Sequence, residues 1–573
     1  MGYKEKASRE QIMLLPDSID EYVGDDNPVR VIDAFVDSLD LVSLNFTKSI
    51  PADTGCPAYD PSDLLKLYIY GYYNRIRSSR KLMTECGRNI EVMWLMGKLQ
   101  PDFRTISDFR KENAKSLKLV FREFVKLCDK LKLYNKEMLA VDGTKIRAQN
   151  SDNKCFNVDI LQKKLANIDE HIAEYLRAME KTDAAEQDDA MTPEEVRAAL
   201  KDLNARKVKY EGYLSELKET GATQKLLTDP EAHRMHSNNG FHCSYNVQAA
   251  VDAGSHLIAE YDVTDHNTDQ GLLNQVCEQA KANLGVESTE AVADKGYDSR
   301  EDIYKCLLNG TVPIVGLKYD KDERIYNLSY EETENVEELK KSTKPEDIEK
   351  CFHAGVLPEC YENTAVSVEV QELSTISCFV SNDDGTVTCP MGAILSPVKK
   401  KRANTEYANK DACRQCKNRC TASTSHKVVS FGPETTHLAV RMYGSPRHEL
   451  QKLPEGHVFH NSFFQKNPVK KKVVIRIQVD KARLQERMCL SEHPFGTVKW
   501  YHGAHYLLCR GREKANGEMG LSFLAYNIRR VITLVGVHKI IEAAREGVPG
   551  GISLFFTRIT ICNLDMYETK SFC

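Results

Sequence analysis

No run of apolar residues in this 573-residue chain approaches the ~20 needed to cross a membrane as a helix, so no membrane partner is expected. The opening stretch, MGYKEKASREQ, lacks the apolar centre of a secretory signal. Lys6 stands where myristoylation wants Ser or Thr. Charge of one sign is also missing: 78 basic residues face 83 acidic ones, a net charge of −5. A basic coat is therefore excluded, and any nucleic-acid contact has to come from local patches. No internal repeat is visible. Without an export signal, the 18 cysteines read as reduced thiols or metal ligands rather than a disulfide framework. A cytoplasmic protein is expected.

The remainder is ordinary for a soluble chain, with 41% hydrophobic and 28% charged residues. The length allows about three to five structural units. Helical spacing dominates at first, in PSDLLKLYIYGYYNRI, SSRKLMTECGRNIEVMWLMG and KSLKLVFREFVKLCDKL. Ser62 and Ser78 suggest helix caps. The period then changes. KEMLAVDGTKIRAQNS reads as a strand, FHCSYNVQAAVDAGSHLIAEYDVT as two paired strands, and ESTEAVADKGYDSR as strand then turn. Strands alternating with helices predict an α/β core. The division is a helical region over 1–130, core pieces at 131–154, 229–319 and 471–548, a helical hairpin insertion over 155–228, a cysteine-containing insertion over 320–470, and a tail over 549–573. The core is expected to resume with KKVVIRIQVD, and one helix is expected over 512–544.

Two aspartates share a setting. Asp142 ends the run MLAVD before Gly143, and Asp294 ends AVAD before Lys295 and Gly296. A carboxylate at the end of a buried strand is rigidly held, and a following glycine leaves room for close approach. Such a pair suits Mg²⁺, which takes carboxylate oxygens. Asp followed by Gly is also a common turn, so a third carboxylate is needed. Glu492 lies in SEHPFGTVK, seven residues before Lys499 and so on the same helical face if Pro494 only kinks that helix. A solvated surface pair has the same spacing.

At these residues the chain resembles bacterial insertion-sequence transposases of the DDE class, with an RNase H-like catalytic fold, and is most similar to the eleven-eighty-two group. The resemblance covers most of the chain. It runs through YDPSDLLKLYIYGYYNRIRSSRKL and DFRTISDFRKEN, then LAVDGTKIRA, YNVQAAVD, ADKGYDS, and finally EHPFGTVK with RGREKANGEMGLSFLAYNIRR. Five ordered motifs are far more specific than any one of them. The resemblance implies that Asp142, Asp294 and Glu492 are a catalytic, metal-binding triad and that Lys499 contacts DNA near the cleaved end. A related signature has Arg four residues and Tyr seven residues before the glutamate. Met488 and Gln485 hold those positions here, and Arg487, one residue off, is taken with Lys499 as a DNA contact. Glu518, also in a matching motif, is the alternative third carboxylate.

The implied activity is cleavage at transposon ends and joining of a 3′-hydroxyl to target DNA, with two Mg²⁺ or Mn²⁺ ions across an in-line displacement. The partners would be terminal-repeat and target DNA, with a homodimer in the complex, in the bacterial cytoplasm and on the nucleoid when DNA is bound. Phosphate contacts are expected from Arg104, Arg110 and Lys111, from Lys399 to Arg402 and from Lys470 to Lys472, although a basic run is more often a solvated face. Cys389, Cys413, Cys416 and Cys420, with Cys378 upstream, could form a structural zinc site or stay unligated thiols. His266 and Asp269 in DHNTDQ could lie near the metals, although a polar loop with a helix cap is the simpler reading. Three other readings share parts of this pattern: a metal-dependent nuclease without strand joining, a silent transposase-derived DNA-binding protein, and a coiled-coil scaffold built on residues 155–225.

Overall fold

The computed structural model describes residues 18–51, 53–54, 57–182, 193–237, 240–317, 322–372, 379–381, 384–389, 391–401, 404–416, 425–431, 464–465 and 471–546. Cys378, Cys420, Arg402, Lys470 and the tail over 549–573 lie outside them.

The first part is helical: α1 (Pro28–Asp37), α2 (Pro61–Tyr73), α3 (Ser79–Arg88), α4 (Ile90–Leu95), α5 (Phe103–Glu112) and α6 (Ala114–Lys130). The cap of α2 is Asp60 rather than Ser62. Its side chain accepts from the Ser62 amide at 2.8 Å, and Pro61 fills the first helical position, where no N–H is required. Nearly every residue of α2 is buried, as expected of a helix enclosed on all sides.

The period change at residue 136 marks the start of a sheet. The next elements are β1 (Met138–Arg147), β2 (Cys155–Phe156), α7 (Val158–Thr182), α8 (Pro193–Thr220), β3 (Lys225–Leu226), β4 (His233–Ser237), β5 (Gly240–Asp252), β6 (Ile258–Thr264), α9 (Leu273–Leu284), β7 (Thr289–Ala293), α10 (Arg300–Leu308) and β8 (Thr311–Val315). The strands run β4-β5-β1-β7-β8, with β6 also on β5. β1 lies antiparallel to β5 and parallel to β7, so it is central. Its run Leu139-Ala140-Val141 is wholly buried. α7 and α8 pack on each other around a separate small core of Phe156, Leu161 and Leu217, and the β2–β3 pair closes their base.

Next come β9 (Glu323–Ser329), α11 (Val336–Lys340), α12 (Pro345–His353), β10 (Val366–Glu372), β11 (Phe379–Ser381), β12 (Val387–Thr388), β13 (Ile394–Lys401), β14 (Asn404–Ala408), α13 (Lys410–Gln415), β15 (Val428–Phe431), β16 (Phe464–Gln465) and β17 (Lys471–Gln478). The strand expected to resume the core, β17, instead lies between β10 and β9 in a three-stranded sheet. Strands β11 to β16 form another sheet. The chain then makes α14 (Lys481–Gly496), α15 (Arg512–Val535) and α16 (Val537–Arg545). The last two are separate helices because Gly536 adopts φ 80°, ψ 169°, a conformation open to glycine that cannot continue a helix. α15 packs against α2, α6 and β6, so the first helices and the sheet share one continuous core.

Candidate active site

The parallel register of β1 with β7 pairs Ala140 with Val292. Continued by two residues, it sets Asp142 beside Asp294, where β7 has just ended. Asp294 ends the strand by capping the short turn Lys295–Tyr297, accepting from the Gly296 amide at 2.6 Å. Asp142 accepts from the Gly143 amide at 2.9 Å, and its other oxygen lies 3.6 Å from the Arg487 guanidinium. Both aspartates are partly exposed.

Gly143 is required by crowding. A Cβ there would meet the Gln248 amide and would stand 2.6 Å from the Asp269 carboxylate. Asp269 is thus inside the site rather than a loop cap. One of its oxygens accepts from Asn246 at 2.8 Å, Gln248 at 2.9 Å and Lys145 at 3.4 Å. The buried Tyr297 hydroxyl donates to the Gln248 side-chain oxygen Oε1. Burial, with the charges of Asp269, Asp142 and Asp294, pushes that phenol far above its ordinary range. Burial pulls the Lys145 ammonium down, against the opposing pull of the same three aspartates. One signal for this network was present in sequence. Strand alternation puts Gly143 and Lys145 on one face of β1, and the register pairs them with Gln248 and Asn246.

α14 lies over the other face. Arg483 pairs with Glu290 on β7 and Arg487, one turn later, with Asp142. Arg487 therefore has a partner in the site although it stands one residue from the position the related signature uses. The helix runs through Pro494 and ends in a π-helical turn over Thr497–Tyr501, with the His502 amide bonded to the Thr497 carbonyl at 3.0 Å. Single π turns recur at functional sites. Burial lowers the Lys499 ammonium from its ordinary value, Asp142 pulls it back up, and Lys145 pushes it further down. Lys499 is therefore within electrostatic reach of Asp142. Glu492 is exposed. It is five residues beyond Arg487 and so about 140° round the helix from it.

The alternative carboxylate, Glu518, is excluded by its surroundings. It is fully buried, accepts from the Leu508 and Cys509 amides at 2.9 Å, and pairs with Arg77 at 2.7 Å. Burial would raise its pKa, but Arg110 and Arg77 outweigh that and hold it below the usual carboxylate range. The same pocket corrects the expectation for Arg110. It is buried and donates to the Tyr72 hydroxyl at 3.0 Å, so it is a core residue and no phosphate contact. Arg104 and Lys111 are exposed on α5.

The clustered aspartates suit a hard divalent cation, since they supply only oxygen donors and are partly open to solvent. Among the described residues, no three His, Cys, Asp or Glu side chains are arranged as a complete metal cage. Cys389 accepts from the Ala393 amide at 3.3 Å through sulfur, and Cys413 and Cys416 lie on and just after α13. Asn409 ties the start of α13 to the Ile394 carbonyl at 2.8 Å, at the sheet end that carries the Cys389 turn.

No curated protein matches the chain. It is similar to a solved structure described as "Cryo-EM structure of piggyBac transposase synaptic complex with hairpin DNA (SNHP)", at 7% identity over 91% of this chain and 80% of that one. The TM-score is 0.26, too low to carry a structural argument. The family comparison is more direct. Residues 17–112 match the family described as "Transposase domain (DUF772)", and residues 134–378 match "Transposase DDE domain". The helical region and the sheet that carries Asp142, with Asp294 just past β7, thus match two transposase families in succession, and the chain belongs to the insertion-sequence DDE transposases.

Proposed function

We propose that this chain cleaves DNA at the ends of its insertion sequence and joins the freed 3′-hydroxyl to target DNA. The observation that carries the proposal is the placement of Asp142 on β1 and of Asp294 just past the end of its parallel neighbour β7, with Lys145, Arg487 and Lys499 around them. The assignment of an RNase H-like core belongs to the same proposal. The antiparallel β6-β5-β1 strands followed by parallel β7 and β8 support it.

Asp142 and Asp294 would hold two Mg²⁺ or Mn²⁺ ions, with Glu492 as the third carboxylate by its place in EHPFGTVK. When bound, such ions stabilise the attacking and leaving oxygens of an in-line phosphoryl transfer. The chain's own residues do the positioning. Arg487 holds the Asp142 carboxylate, and the Asp269 network fixes the floor beneath Gly143. Lys499 offers its ammonium to a DNA phosphate beside Asp142. Arg104 and Lys111 supply outlying phosphate contacts. Terminal-repeat and target DNA are the partners, two DNA ends call for a homodimer, and the cytoplasm with its nucleoid is the place of action. Cys389, Cys413, Cys416 and Cys420 belong to the proposal as a structural zinc site.

The test incubates the full chain with DNA carrying the element's ends, in Mg²⁺ or EDTA, beside Asp294→Asn and Glu492→Ala. Nicking is expected in Mg²⁺ alone, with both variants inactive yet still binding DNA. Cutting by Asp294→Asn would overturn the site. Binding without cutting by the parent would favour a silent relative, for which the exposed position of Glu492 is the motivating observation. Supplying a pre-cleaved end separates strand transfer from simple nuclease action.

A further inference from the structure

The chain holds two tryptophans. Trp94 is engaged: its indole N–H donates to Asp20 at 2.8 Å, and Arg30 lies 5.0 Å above its ring. Trp500 is different. It is 72% exposed, the most exposed large apolar side chain among the described residues. A single exposed aromatic is unremarkable, but Tyr501 and Tyr506 are also exposed within the same short segment.

These rings are held in place. Trp500 stacks on His505, with centroids 5.9 Å apart and planes at 18°. His505 meets Tyr506 edge-on at 4.9 Å, and the Arg77 guanidinium lies 5.0 Å from the Tyr506 ring. The backbone is anchored as well. The Arg147 amide donates to the His505 carbonyl at 3.2 Å, and the Leu507 amide donates to the Arg147 carbonyl at 2.8 Å. Arg77 donates to the carbonyls of Gly503 and Tyr506. On the other side, Arg75 sits 3.3 Å from the Tyr501 ring centroid and is exposed.

The position of this ledge is informative. Trp500 directly follows Lys499, which feels the charge of Asp142. The far end is bridged to Arg147, five residues along β1 from Asp142 and so about 17 Å away at the rise of a strand. A flat ring that is backed by His505 and 72% exposed, next to Lys499 in the chain and to Tyr501 with its Arg75 partner, is complementary to a nucleobase face next to a phosphate. Bases inside a duplex have both faces covered by neighbouring pairs, whereas an unpaired base next to a backbone phosphate offers a free face to the ring.

We propose that Trp500, backed by His505, is a stacking ledge for an unpaired base of the DNA strand whose backbone lies at Lys499 and Asp142. This rests on the reading that DNA is seated at Asp142. The test titrates the full chain, in EDTA so that nothing is cut, with a blunt duplex and with the same duplex carrying a short unpaired tail. The tailed probe is expected to bind about tenfold tighter, the scale of one stacked base, and to quench tryptophan emission. Trp500→Ala should lose both effects while its unfolding midpoint stays that of the parent. Trp500→Phe, which keeps an aromatic face, should retain most of the affinity gain. Equal affinity of the parent for the two probes, or a tail preference that survives Trp500→Ala, overturns the ledge and leaves the DNA reading standing. Failure to bind either probe overturns the DNA reading and the ledge with it.

Discussion

His502 lies next to the exposed ledge yet is almost wholly buried. Burial, with Arg529 and Arg75 nearby, drops its pKa from 6.5 to about 4. An unfolded chain takes up this proton near pH 6.5, whereas the folded chain resists it until about pH 4. The unfolded state therefore binds more protons across that window, and the contribution to stability falls as pH falls through it. The ceiling is about 3 kcal/mol for a shift of this size. His502→Gln, which cannot ionise, should unfold more easily than the parent at pH 7 and should close that gap towards pH 4. Thermal midpoints of the two proteins over that range check it, and a gap that does not change with pH would rule it out. At this scale sequence reading was uneven. The setting of Asp294 was plain, because an apolar run ending in Asp is a local pattern, whereas Asp142, read as a strand end, is the fifth residue of the ten-residue β1 and pairs with Ala249, because the polar residues after it stay in register with β5. The burial of Arg110 and Glu518 was not plain, because the two belong to helices far apart in the chain and meet only in the fold.

Among the elements, β1, β5, β6 and β7 were legible from their period. Each is a short apolar or alternating run bounded by turn residues, and local chemistry suffices. The destination of β17 was not. Its residues Val473, Ile475 and Ile477 are buried whichever sheet it joins, and pairing with β9 and β10 depends on backbone partners from the intervening segment. That segment also carries the proposed zinc ligands. β12, β13 and β14 bring the Cys389 turn and the start of α13 to one end of a sheet. Thiolates there would close a region with few buried apolar side chains of its own. Purified chain is expected to retain zinc, and Cys413→Ser to lose it and become open to protease over 379–431. Unchanged zinc content in that variant would remove the assignment. Nicking by the variant would show that the aspartate site does not depend on it.

At the scale of the molecule, the N-terminal helices are not an appendage. Arg77 follows α2 and Glu518 sits on α15, and their buried pair joins the two ends of the chain. Removing one partner of such a pair costs about 3–5 kcal/mol, since the other charge is left buried without compensation. In a Trp500→Phe background, where Trp94 is the sole tryptophan, Glu518→Gln should therefore lower the thermal midpoint seen by Trp94 fluorescence, in the helical region, and by far-UV circular dichroism of the whole chain. A drop in only one of the two would show that the helical region and the sheet unfold separately.

By itself the sequence determined the class of core, the apolar runs that lead into Asp142 and Asp294, the helix-rich beginning and the family to which the ordered motifs belong. Those features are written in short windows, where periodicity, turn residues and motif spacing act locally. Only the tertiary structure decided that Asp269 joins the site, that Arg487 pairs with Asp142, that Arg110 and Glu518 are consumed in the core, and that Trp500 is left on an open ledge. Each of those outcomes depends on which segments meet across the chain. Contact between residues hundreds of positions apart is set by packing and register, and no local pattern encodes it.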